Sequence, residues 1–123
     1  MKKILIAEDE EILRMLIADT LEDGDYEVDE AEDGEEALKL LEKEQYDLVI
    51  LDYMMPVLTG LDVIRTVRSG LNQNSDVKIL MLSAKSQQNE QEEVLKAGAD
   101  YFMVKPFSPL QLFEKVGEIV DEA

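Results

Sequence analysis

The sequence predicts an α/β domain: a doubly wound parallel sheet of five strands with helices on both faces. Three observations carry that expectation. Five short apolar segments of strand type alternate with five longer stretches of helical period across the 123 residues. Three of the short segments are almost wholly apolar, the pattern of strands buried on both faces, while another alternates like an edge strand. The alternation runs unbroken from first segment to last, and right-handed crossovers leave few topologies to choose between.

Lys3 to Ala7 reads as the first strand and Glu11 to Glu22 as the first helix. Tyr26 to Ala31 follows as the alternating edge strand. Asp33-x-x-Glu36 then announces the helix Gly34 to Glu44, because a capping carboxylate and a residue at the third position can satisfy free backbone N–H groups. Leu48 to Leu51 is the third strand and Leu61 to Arg68 the third helix. The stretch Ser69 to Asp76 is a loop, too short to divide domains. Lys78 to Leu82, Asn89 to Ala97 and Tyr101 to Val104 supply the next strand, helix and strand, and Ser108-Pro109-x-Gln111 opens the last helix, Pro109 to Asp121. Gly24, Gly70 and Gly98 stand where helices end, positions that favour a left-handed backbone. The expected sheet is flavodoxin-like. In such sheets ligands bind beyond the carboxyl ends of the strands, where the connection order reverses.

Composition bounds the function. At 14.0 kDa with 46% hydrophobic residues, residues 1–123 suit one domain with a real core. There is no cysteine, no leader-like start, and no apolar run near the roughly 20 residues of a membrane helix, so the expectation is a soluble cytoplasmic protein. A net charge of −17, from 29 acids against 12 bases, repels phosphate backbones and anionic lipid, which excludes direct nucleic acid binding and membrane binding. Runs such as Glu30 to Glu36 and Glu90 to Glu93 read as solvated helix ends and faces. With no histidine, carboxylates must carry any acid, base or metal chemistry.

The residues just after the predicted strands are Glu8 and Asp9, Asp52, Ser83 and Lys105. Three carboxylates on one rim resist full ionisation unless a cation sits among them, and hard oxygen donors suit Mg²⁺. A hydroxyl and an ammonium opposite them suit phosphoryl oxygens, and a central carboxylate nucleophile would form an acyl phosphate. Singly, each has an ordinary explanation: helix-start acids, a turn aspartate, a cap serine, a surface lysine. Together, at the ends of four strands predicted independently, they mark a site.

Ile4-Leu-Ile-Ala-Glu-Asp-Glu10, Asp47-Leu-Val-Ile-Leu-Asp-Tyr-Met-Met-Pro56 with Gly60, Leu80-Met-Leu-Ser-Ala84, and Ala97-Gly-Ala-Asp100 before Lys105-Pro-Phe107 resemble the receiver domains of two-component response regulators, chemotaxis-Y-like, over the whole chain. The resemblance implies that Asp52 accepts a phosphoryl group from a phosphohistidine on a sensor histidine kinase or histidine phosphotransfer protein. It implies Mg²⁺, for which Mn²⁺ can substitute, held by Asp9, Asp52 and the backbone carbonyl of Met54, with Glu8 acting through metal-bound water. The family more often has Asp at the position of Glu8. Ser83 and Lys105 contact the phosphoryl group by the same resemblance, Ala84 leaves room for it, and the Lys105–Pro106 bond is expected to be cis. Met54 and Lys85 are expected to screen the acyl phosphate from water.

Adding a doubly charged group at Asp52 would draw Ser83 toward it, and the space vacated could admit an aromatic side chain from the fifth strand, which the family's spacing places at Phe102. Tyr101 lies one residue earlier, on the opposite face by alternation. The first helix has more apolar residues than one buried stripe needs: either it packs on two neighbours, or Leu13 and Leu16, with Pro106 and Phe107, form the partner-binding surface that the resemblance implies. The reading is therefore a phosphorylation-switched module and not a turnover enzyme: a phosphatase of the haloacid dehalogenase type needs a second acid where Met54 stands. A degenerate receiver would have lost some of these positions, and all are filled. The whole chain, 1–123, is read as a single receiver domain with no output domain, either standing alone or cut from a longer regulator. It would act on a downstream protein target or output domain as a monomer or a weak phosphorylation-dependent dimer.

Overall fold

The computed structural model describes residues 1–70, 73–84 and 88–121. Its elements run β1 (Lys3–Ala7), α1 (Glu11–Asp23), β2 (Glu27–Ala31), α2 (Gly34–Lys43), β3 (Leu48–Asp52), α3 (Gly60–Arg68), β4 (Lys78–Ala84), α4 (Gln88–Ala97), β5 (Tyr101–Lys105) and α5 (Pro109–Asp121). The strands form one parallel sheet in the order β2-β1-β3-β4-β5. The apolar β1, β3 and β4 are the interior strands, as their composition predicts.

Alternation divides the core in two. Leu5, Ala7, Val49, Leu51, Ile79 and Met81 face the side covered by α2, α3 and α4. Ile4, Ile6, Leu48, Ile50, Leu80 and Leu82 face α1 and α5. The connection order reverses between β1 and β3, so the crevice of a doubly wound sheet opens there. Among the described residues no helix is long and apolar enough to cross a membrane.

Three strands extend past their predicted ends. Ladder pairing carries β3 through Asp52, opposite Leu82, β4 through Ser83 and Ala84, opposite Val104 and Lys105, and β5 through Lys105. The polar site residues are thus terminal strand residues with a backbone held on at least one side. The helix start at Ser108 takes the predicted reciprocal form, Ser108 and Gln111 bonding at 2.8 and 3.1 Å, while at Asp33 only the cap itself is made, the carboxylate accepting from the Glu36 N–H at 2.8 Å. A further capping box, Thr59 with Asp62, starts α3 one residue earlier than predicted.

Gly70 and Gly98 adopt positive φ, 83° and 128°, but Gly24 does not: its φ is −91°, and Asp25 takes the left-handed turn at φ 67°. Gly24 is needed for space instead, because the Phe113 ring occupies the position a Cβ would take. In α1, Ile12, Met15 and Leu16 face out while Arg14 lies buried beside Ile17, Ala18 and Leu21. At the opposite end of the sheet from the crevice, Asn74 is buried and joins three backbone groups. It accepts from the Tyr46 N–H and donates to the carbonyls of Leu41 and Glu44.

Candidate functional site

The carboxyl ends of the interior strands and β5 bring Glu8, Asp9, Asp52, Ser83 and Lys105 to one rim. Carboxylate oxygens of Glu8, Asp9 and Asp52 all lie within 4.8 Å of one another. The Lys105 ammonium bridges two of these acids, donating to Glu8 Oε1 at 2.8 Å and lying 2.9 Å from Asp52 Oδ1. Glu8 is 1% exposed and Asp52 is buried, whereas Asp9 is open to solvent.

Burial sets the electrostatics. It pushes the Glu8 carboxyl up to about 7, with the neighbouring Asp52 charge adding to the rise while Lys105 and the Glu10 N–H oppose it. Burial also raises Asp52, against the hydrogen bond and charge of Lys105. For Lys105, burial alone would favour the neutral amine, but its contacts with Glu8 and Asp52 outweigh this and hold the ammonium above its usual range. Three carboxylates facing one ammonium leave a negative excess in a partly dry crevice.

The backbone around these acids is tightly held. Glu8 N–H donates to the Ala31 carbonyl at 3.1 Å, its Oε2 accepts from Glu10 N–H at 3.2 Å, and its carbonyl accepts from Arg14 Nη1 at 2.9 Å. Arg14 also reaches Glu30 at 3.2 Å and Glu32 at 3.7 Å, tying β1 to the end of β2. After Asp52, Tyr53 N–H bonds to the Leu82 carbonyl, and the loop turns tightly at Val57, φ 73°, with Leu58 N–H donating to the Pro56 carbonyl. It then folds back onto the strand it left: a Cβ on Gly60 would stand 2.7 Å from the Asp52 carbonyl oxygen. Met54, in this loop, has an exposed side chain.

Ser83 is buried, and its Oγ accepts a hydrogen bond from Gln91 Nε2 at 3.1 Å. Register pairs Ser83 with Val104 and Met81 with Phe102, so Phe102 shares the Ser83 face two residues back, and its side chain is 37% exposed. Tyr101 lies on the other face, its ring 5.1 Å from the Lys115 ammonium. Leu13, Pro106 and Phe107 line a groove of about 230 Å³ with Glu10 and Lys105. Leu16 is exposed on α1 but does not line that groove. The Lys105–Pro106 peptide is cis. Ala84 is half-buried, and Lys85 lies outside the described residues.

Arg14 and Gln91 are the two side chains at this rim that the strand-end reading overlooks. Arg14 falls on the positions 14, 17, 18 and 21 of a helical stripe otherwise apolar, and Gln91 falls one turn before buried Val94. A polar residue in register with a buried stripe was the available signal.

Residues 4–117 match the family model described as the response regulator receiver domain. The chain is 43% identical over 119 residues to the alkaline phosphatase synthesis transcriptional regulatory protein PhoP of Bacillus subtilis, an alignment covering 97% of this chain and 48% of PhoP. It thus spans about half the length of the curated relatives it matches. Among solved structures it superposes with the chemotaxis response regulator CheY4 of Vibrio cholerae at a TM-score of 0.90 and 35% identity, covering 97% of this chain and 98% of that one. It also superposes with the receiver domain of the sensor histidine kinase PA1611 of Pseudomonas aeruginosa, solved with magnesium in its active site cleft, at 0.87 and 29% identity, covering 97% of each chain. With the sheet order, the family match and these likenesses in agreement, the chain belongs to the response regulator receiver domains of two-component signalling systems.

Proposed function

We propose that this domain is switched by phosphorylation of Asp52 beside a bound Mg²⁺. The observation that carries the reading is the meeting of three carboxylates within 4.8 Å of one another, two of them bridged by a single lysine. The donor set fits the ion: all three donors are hard oxygens, and three carboxylates share the single Lys105 ammonium that touches two of them. Asp9, Asp52 and the Met54 carbonyl would hold Mg²⁺ directly and Glu8 through water. The bound ion supplies charge neutralisation between acceptor and donor phosphate.

This chain's residues do the rest. An Asp52 carboxylate oxygen forms the new bond to phosphorus while the donor's bond to phosphorus breaks and the donor keeps that electron pair. Lys105, 2.9 Å from Asp52, offsets charge on the equatorial oxygens, and Ser83 donates its hydroxyl proton to one of them. The donor is a phosphohistidine of a sensor histidine kinase or histidine phosphotransfer protein, whose helices the Leu13, Pro106 and Phe107 groove and the exposed Leu16 would seat. Movement of Ser83 toward the phosphoryl group would let Phe102, half out on the same face, turn inward and change the β5 surface. The signal then passes to a protein target or output domain.

Incubation with Mg²⁺ and acetyl phosphate is expected to give a single-phosphate adduct by intact mass, and excess chelator is expected to abolish it. An adduct forming equally well in chelator would defeat the metal-dependent reading. Continuous phosphate release from added phosphomonoesters would instead favour a phosphatase. The elevated Glu8 carboxyl adds a pH dependence. Its proton competes with the cation below about 7, so Mg²⁺ affinity by calorimetry should be about tenfold weaker at pH 6 than at pH 8. Glu8→Gln should flatten that profile, and an equally steep profile in the variant would assign the titration elsewhere.

A further inference from the structure

The hydroxyl of Ser83 is held from behind. Gln91, on α4, is only 8% exposed, and its Nε2 donates to Ser83 Oγ at 3.1 Å, with Ser83 itself 1% exposed. Gln91 sits on the inward face of its helix, one turn before Val94, where an aliphatic side chain would bury without loss of hydration. A buried carboxamide costs free energy unless it is bonded, so this position is occupied by a polar group whose visible partner is the serine at the site.

The direction of the pull matters. Ser83 follows the parity of Ile79 and Met81, whose side chains pack on the α2, α3 and α4 side, whereas Asp52 follows Leu48 and Ile50, which face α1 and α5. Gln91 therefore holds the hydroxyl toward α4 and away from the acceptor. A serine oxygen has two lone pairs and one proton. Gln91 uses a lone pair and leaves the proton free for a phosphoryl oxygen, so the two partners compete for the position of the oxygen and not for its proton.

We propose that Gln91 is a positioning residue that restrains Ser83 in the unphosphorylated domain and sets how readily the site closes on a phosphoryl group. Closure stretches the Gln91 bond or draws α4 with it, which couples that helix to the occupancy of Asp52. The proposal rests on Asp52 as acceptor and Ser83 as its hydroxyl partner.

The test is the affinity for beryllium trifluoride, a phosphoryl mimic, in saturating Mg²⁺, followed by NMR of the backbone amides. Gln91→Leu removes one neutral hydrogen bond that opposes closure and is expected to tighten binding roughly 2- to 10-fold. Gln91→Glu places an acceptor where the donor stood, takes the serine proton, and is expected to weaken it. In a Ser83→Ala background Gln91→Leu is expected to change nothing, an outcome that a merely structural role in α4 packing would not produce. Gln91→Met gives the same comparison if the leucine variant fails to fold. Equal or weaker binding by Gln91→Leu, or an undiminished effect in Ser83→Ala, overturns the proposal. Absence of binding by the unaltered domain would remove the Asp52 reading as well, so the two failures are distinct.

Discussion

Lys105→Met is expected to slow phosphoryl transfer to Asp52 by about 100-fold or more while Mg²⁺ binding is kept or tightened. The geometry makes the two effects separable. The ammonium touches Glu8 and Asp52 at 2.8 and 2.9 Å, so in the resting domain it acts as counter-ion to the same acids that would bind the metal. Its loss removes a competitor of the cation but also lets the Glu8 and Asp52 carboxyls rise further, so the comparison belongs well above pH 7, where both acids are ionised and metal affinity should not fall. During transfer, however, negative charge spreads over the equatorial oxygens, and the rim holds no second cation that contacts Asp52 among the described residues. Removing a pre-placed charge of this kind typically costs roughly 10²–10³ in rate. The rate of adduct formation at fixed acetyl phosphate and calorimetric Mg²⁺ titration measure the two quantities. An unchanged rate would strip Lys105 of its proposed role, and lost Mg²⁺ binding would make it structural.

Asn74→Ala is expected to destabilise the fold by about 2–4 kcal/mol without altering the chemistry of the rim. The side chain is 2% exposed and bonds the Tyr46 N–H at 2.9 Å and the Leu41 and Glu44 carbonyls at 2.6 and 2.7 Å. The two carbonyls stand at the end of α2, where a helix lacks its own donors, and Tyr46 leads into β3. Alanine removes these three bonds at once, and each buried group left unpaired costs about 1–3 kcal/mol, moderated where water can enter. Urea unfolding should show a lower midpoint with an unchanged slope. A midpoint within error of the unaltered protein would mean that these carbonyls find other partners.

The sheet and the rim were legible because both rest on patterns confined to short stretches. Ile4-Leu-Ile-Ala7, Leu48-Val-Ile-Leu51 and Ile79-Leu-Met-Leu82 are uniformly apolar because both faces are covered, and the polar residue that follows each run stands at the carboxyl end of its strand, where the crevice opens. What lay beyond reach depended on contacts distant in sequence. Gly24 reads as a left-handed helix end, yet the ring that excludes its Cβ belongs to Phe113. Asn74 looked like part of a plain loop, and its partners are some 30 residues away. Arg14 and Gln91 show a subtler limit: periodicity places them on buried faces, but only the fold reveals the Glu8 carbonyl and the Ser83 hydroxyl they meet.

Every role proposed for the rim depends on Asp52 being the phosphoryl acceptor. The most direct test compares the unaltered domain with Asp52→Asn after incubation with Mg²⁺ and acetyl phosphate, using intact mass before and after hydroxylamine, which cleaves acyl phosphates. One phosphoryl group is expected on the unaltered domain, lost to hydroxylamine, and none on Asp52→Asn. An adduct that persists in Asp52→Asn, or one that resists hydroxylamine, would contradict it.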